Sequence, residues 1–102
     1  MSVFEMGSHM DVRHALASAL KTIRSARGLT QEDFSNVSSR TYLSTLERGL
    51  KSPTLDKMQA LAEVLDVHPV TIMALTFTTA ENCSVDELLA KVKRELRDLQ
   101  SS

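Results

Sequence analysis

Arg40, Thr41, Ser44 and Thr45 stand at i, i+1, i+4 and i+5, which gathers them on one face of a helix, while Leu43 and Leu46 fall on the other. The chemistry open to such a face is directional hydrogen bonding. An arginine fork matches O6 and N7 of guanine in the major groove of a duplex. A threonine offers a hydroxyl beside a methyl that suits thymine. Short polar groups in front and leucines behind are what a groove-entering helix needs.

Other chemistries find no support in the residue pattern. His14 and His68 lie far apart and lack acidic or cysteine partners at ligand spacing, so no metal site is expected. Cys83 is the single cysteine, which excludes an intramolecular disulfide and a cysteine-rich zinc site and leaves an ordinary thiol. Paired carboxylates, a Ser/His couple and a Gly-rich phosphate loop are all missing, so neither an enzyme, a cofactor nor a small-molecule ligand is expected. The net charge of −1 does not favour a nucleic-acid partner, but its distribution does. Residues 19–57 carry seven Lys/Arg against four Asp/Glu, and residues 58–102 carry four against seven. A basic middle and an acidic tail fit a protein in which one face meets phosphate.

The elements that must position these residues are helical. With 102 residues and 42% apolar content, one domain with one core is the natural expectation. Few Gly and Pro and abundant Leu, Ala, Glu, Lys and Arg favour helices. Asp11 caps a first helix carrying Val12, Leu16, Leu20 and Ile23 on one face, and Gly28 stops it. Thr30 caps a short second helix with Glu32 and Asp33 in its first turn and Phe34 as its anchor. Ser38 or Ser39 caps a third, from about Arg40 to Arg48, ended by Gly49. Ser52-Pro53-Thr54 starts a fourth that presents Leu55, Met58, Leu61, Ala62 and Leu65. His68-Pro69 opens a fifth, in which Val70, Ile72, Met73 and Leu75 are expected to pack. Residues 76–82 read as a linker. A sixth helix then runs from Ser84 or Val85 to about Leu99.

Residues 1–9 are set apart because Gly-Ser-His-Met at positions 7–10 has the form of a cleaved affinity-tag remnant, with the helical domain expected over 10–79. No apolar stretch is long enough to cross a bilayer, so no membrane association and a cytoplasmic location are expected.

Two short helices, the first with Gln31 near its start and the second opening on polar residues, are the parts of a helix-turn-helix. Gly28-Leu29-Thr30-Gln31-Glu32-Asp33-Phe34 followed by Ser39-Arg40-Thr41-Tyr42-Leu43-Ser44-Thr45-Leu46-Glu47-Arg48-Gly49 closely resembles the Cro/cI-type (XRE) repressor family. Lys51-Ser52-Pro53-Thr54-Leu55 and Leu61-Ala62-Glu63-Val64-Leu65-Asp66-Val67 continue the likeness, which covers about Ala19 to Leu75. The chain departs from the family in being about two residues short around Asn36 to Ser39, where the family places a longer helix end and a Gly-containing turn.

The resemblance implies an all-α fold, a five-helix lambda-repressor-like DNA-binding domain, here with an additional C-terminal helix. It places Gln31 as a phosphate-gripping brace and Arg40, Thr41 and Thr45 at base-reading positions, with Ser44 on the same face. Ser39 falls where a residue touches base or backbone, and Arg48, Lys51 and Ser52 match a phosphate-holding loop. Glu47 matches a structural partner of Arg24, against the plainer reading of a surface acid. Tyr42 has two readings, a phosphate contact through its hydroxyl or half-buried packing, whereas Lys21 and Arg27 read as solvated helix charges.

Residues 80–102 are expected to form a dimerisation element: Val85, Leu89, Val92, Leu96 and Leu99 recur at spacings of four and three, with Leu88 flanking them. This seam either folds back on its own domain or pairs across a two-fold axis; pairing is the expectation, because the five-helix unit already has a core. The resulting expectation is a homodimeric repressor of a pseudo-palindromic operator in double-stranded DNA. Rivals are an antitoxin or restriction-modification controller of the same fold, and a protein-interaction module that does not bind DNA.

Overall fold

The computed structural model describes residues 11–101, so the tag-remnant reading of residues 1–9 lies outside the described residues. Among the described residues every regular element is helical: α1 (Val12–Ala26), a 3-10 turn (Gln31–Phe34), α2 (Arg40–Glu47), α3 (Leu55–Leu65), α4 (Pro69–Glu81) and α5 (Val85–Gln100).

Local chemistry explains most boundaries. The Asp11 carboxylate accepts from the Arg13 N–H, satisfying a donor at the start of α1. At the other end Gly28, at φ +69, lets the chain turn left-handed, and the Leu29 N–H returns to the Arg24 carbonyl. Ser39 and Thr54 cap α2 and α3 through their hydroxyls, and Ser84 and Glu87 form a reciprocal capping box on α5. Pro69 occupies the first turn of α4, where its missing N–H costs no hydrogen bond.

The core gathers Leu16, Leu20, Ile23, Phe34, Leu43, Leu46, Met58, Leu61, Ala62, Leu65 and Ile72. α1 lies along α4 in the most extensive helix pairing and also supports α2. The α2 helix is thus held by its Leu43 and Leu46 side while the opposite face remains outside.

Several expectations are corrected here. The second helix is one 3-10 turn, after which the Val37 and Ser38 N–H groups return to the Phe34 carbonyl. Residues 76–82 are not a linker: α4 continues to Glu81 and stops at Asn82, which adopts φ 54. Threonines are weak helix formers, but Thr76, Thr78 and Ala80 are buried, and the Thr76 hydroxyl donates to the Ile72 carbonyl at 2.7 Å. Packing overrides propensity at this segment. Val12, Leu55, Val70 and Met73, expected inside, are exposed, Leu55 to 79%. Arg27 is exposed as expected, and its Nε and Nη2 in addition donate to the Leu65 and Asp66 carbonyls at 3.0 and 2.9 Å, closing the end of α3.

Candidate nucleic-acid interface

The α2 helix begins where the Ser39 Oγ accepts from the Tyr42 N–H at 3.0 Å. Its next residues, Arg40 and Thr41, are exposed, while Ser44 and Thr45 one turn later are half-buried on the same side. The Thr45 hydroxyl donates to the Thr41 carbonyl at 2.7 Å, which leaves its methyl and oxygen lone pairs for a partner. Arg40 projects into solvent with 76% of its side chain accessible.

Behind this face sits a buried charge cluster. The Arg24 Nε and Nη2 donate to the two Glu47 carboxylate oxygens at 2.7 and 2.9 Å, and the Gln31 Nε2 donates to Oε1 of the same group at 3.0 Å. Arg24 Nη1 also donates to the Leu29 carbonyl at 3.1 Å. The hydrogen bond to Glu47 holds the Arg24 pKa above its ordinary value, against the opposing effect of burial. One carboxylate therefore ties together α1, the 3-10 turn and the end of α2, the parts whose relative placement fixes the angle of the exposed face.

A second tie has no counterpart in the sequence pattern. The Lys57 Nζ donates to the Val37 carbonyl at 2.7 Å and lies 5.5 Å from the centre of the Tyr42 ring. It fastens the turn before α2 to α3, with a cation–π contact to the half-buried Tyr42 as support. The sequence signals this residue only as one more basic side chain. Arg48, Lys51 and Ser52 all lie exposed after α2, and Arg48 lines an open cleft with His14 and Lys21 on α1. Gly49 lies against His14: a Cβ there would stand 2.9 Å from the imidazole Cδ2. Among the described residues no group of three or more His, Cys, Asp or Glu could hold a metal ion.

A polar helix face braced from behind by a part-buried Arg–Glu–Gln cluster, beside a basic loop, has the residue types that a duplex-binding surface needs. Similarity to known proteins decides the family. The helix-turn-helix family model matches residues 20–72. The chain belongs to the helix-turn-helix family of the Cro/cI (XRE) type. It is 39% identical over 72 residues to the HTH-type transcriptional regulator y4dJ of Sinorhizobium fredii, covering 69% of this chain and 94% of the relative. It is 41% identical over 44 residues to the control protein C.BamHI of Bacillus amyloliquefaciens, covering 43% of this chain and 52% of that protein.

Solved structures agree. The clp gene regulator ClgR of Corynebacterium glutamicum superposes with a TM-score of 0.67 at 26% identity, covering 82% of this chain and 92% of that one. The restriction-modification controller C.Esp1396I, crystallised as a tetramer on its 35 base-pair operator, gives 0.61 at 25% identity, covering 70% and 96%. As an XRE-type protein the chain is a DNA-binding transcriptional regulator.

Proposed function

We propose that this regulator binds a pseudo-palindromic operator as a homodimer and represses transcription by occupying it. Arg40, Thr41, Ser44 and Thr45 read base edges in the major groove. Gln31, Ser39, Tyr42, Arg48, Lys51 and Ser52 engage the sugar–phosphate backbone on either side. The observation that carries this reading is the exposure of the Arg40–Thr41 end of α2 while Leu43, Leu46 and Glu47 anchor its other side. Such a regulator works beside the chromosome, which places it in the cytoplasm.

The dimer reading is supported by α5. Val85, Leu89, Val92, Leu96 and Leu99 are exposed, Leu99 to 71%, and Leu88 is half-buried against α4. An amphipathic helix with that seam in water is covered by an equivalent copy at modest cost, and pairing sets two half-sites about 34 Å apart.

Selection of bound duplexes from a random pool tests the whole reading. Enriched sequences with two inverted half-sites, spaced by about ten base pairs or a multiple, are expected; enrichment of no sequence removes it. Light scattering on Leu89→Lys/Leu96→Lys tests the dimer, since both positions are exposed and the fold should survive. A dimer unchanged by this pair of substitutions removes α5 from that role.

A second reading is favoured by the likeness to C.BamHI and C.Esp1396I: a controller protein of a restriction-modification system, which shares the operator chemistry and differs in the genes it governs. A nuclease–methyltransferase pair beside the gene, with the enriched site in their shared promoter, distinguishes it from a stand-alone repressor.

A further inference from the structure

The Glu32 carboxylate lies exposed on the 3-10 turn, with its Oε1 3.9 Å from Nη2 of Arg40 and both side chains 76% accessible. Together with Gln31 and Ser35 they line a shallow cleft of about 220 Å³. The neighbouring acid is occupied locally, since the Asp33 Oδ2 accepts from the Thr30 N–H at 2.7 Å and from its hydroxyl at 3.1 Å. Glu32 points instead at the base-reading arginine. In water an ion pair this exposed contributes little to stability. It is therefore poorly explained as a device for holding the fold.

Its position makes sense against DNA. A carboxylate on a surface that approaches phosphates weakens binding to every sequence alike. Arg40, however, has two possible partners in a complex. A phosphate bound to its guanidinium would also lie near the Glu32 carboxylate and be repelled by it. The edge of guanine is neutral and presents acceptors without net charge, so it suffers no comparable repulsion. As the interface closes and water leaves, the local dielectric falls and this difference grows.

We propose that Glu32 is a specificity-determining residue of the DNA face, which disfavours phosphate as a partner of Arg40 and so reserves its guanidinium for a base. The inference rests on the reading of Arg40 as a base contact.

The test compares wild type, Glu32→Gln, Arg40→Ala and the double variant on two duplexes, the one enriched from a random pool by the wild-type chain and a scrambled version of it. Thermal melting should be nearly the same for Glu32→Gln and wild type, since the substitution is isosteric and exposed. Glu32→Gln should tighten binding to the scrambled duplex about two- to fivefold, the scale of an exposed charge pair, and tighten the enriched duplex less. Its salt dependence on the scrambled duplex should steepen by about 0.9 in log–log slope, one additional phosphate contact. In the Arg40→Ala background, Glu32→Gln should shift both duplexes by the same factor. A specificity ratio unchanged by Glu32→Gln, or one that falls equally when Arg40 is absent, overturns the proposal. Arg40→Ala with unaltered base preference would instead overturn the reading of α2, and the role of Glu32 with it.

Discussion

Arg24 and Glu47, 23 residues apart, meet in a two-pronged ion pair, and the carboxylate they share with Gln31 is only 3% exposed. The pair bridges α1, which organises the core, and α2, which carries the proposed base-reading residues. A charge pair of this burial contributes little net stability compared with apolar packing, but removal of one partner strands the other.

Arg24→Ala should therefore destabilise the fold by roughly 3–5 kcal/mol, because the Glu47 carboxylate keeps Gln31 alone as a side-chain donor. Gln31→Ala should cost about 1.5–3 kcal/mol, the scale of one hydrogen bond to a charged group, and weaken DNA binding beyond that. Urea denaturation measures the first effect, and a loss no larger than that of an exposed substitution contradicts it.

Gly49 and Gly28 share a left-handed backbone, at φ +74 and +69, but not the same surroundings. Open space surrounds a Cβ built on Gly28, whereas on Gly49 it meets the His14 ring. Gly28→Ala should cost about 1–2 kcal/mol from backbone strain. Gly49→Ala should cost more, because the ring must swing away and give up its 3.1 Å contact with Asp11. With His14→Ala in the background the two substitutions should cost the same, as thermal melts of the four variants and their two parents will show.

The Glu87 carboxyl lies below its ordinary value of 4.5, first because it accepts from the Ser84 backbone N–H and then through the Ser84 side chain. A depressed folded pKa means the contribution is present above the unfolded value and is lost as pH falls through the folded one. The start of α5 should accordingly fray in acid, from just above pH 4.5 downward. Glu87→Gln should remove that part of the acid transition followed by amide hydrogen exchange over residues 85–88; an unchanged profile contradicts it.

Arg40 and Lys51 should separate reading from holding. Arg40→Ala is expected to cost roughly 1–3 kcal/mol on the enriched duplex and to relax preference at one base pair. Lys51→Ala should weaken all duplexes by similar factors and lower the salt slope by about 0.9. Titrations of single-base variants at several salt concentrations check both, and a base-selective effect of Lys51→Ala would reverse its role.

How much of this protein is legible before folding follows the range of the forces involved. Caps and stops act within a few residues, so Asp11, Ser39, Thr54, Ser84 and Gly28 disclose their helices at once. The spacing of Arg40, Thr41, Leu43 and Leu46 is likewise enough to separate the two faces of α2. Long-range partners carry no such local trace. Whether Leu55, Val70 or Met73 is buried depends on which helix lies opposite, and apolar periodicity alone assigns all three to the interior. The threonine-rich end of α4 is weakly helical by itself and is held by burial against the rest of the fold. Arg27 closing α3, Lys57 securing the turn and Glu32 facing Arg40 depend on residues up to 39 positions away, brought near only when the core closes. Short-range hydrogen bonding wrote the elements into the chain; shared burial of side chains from distant segments decided which faces stayed outside.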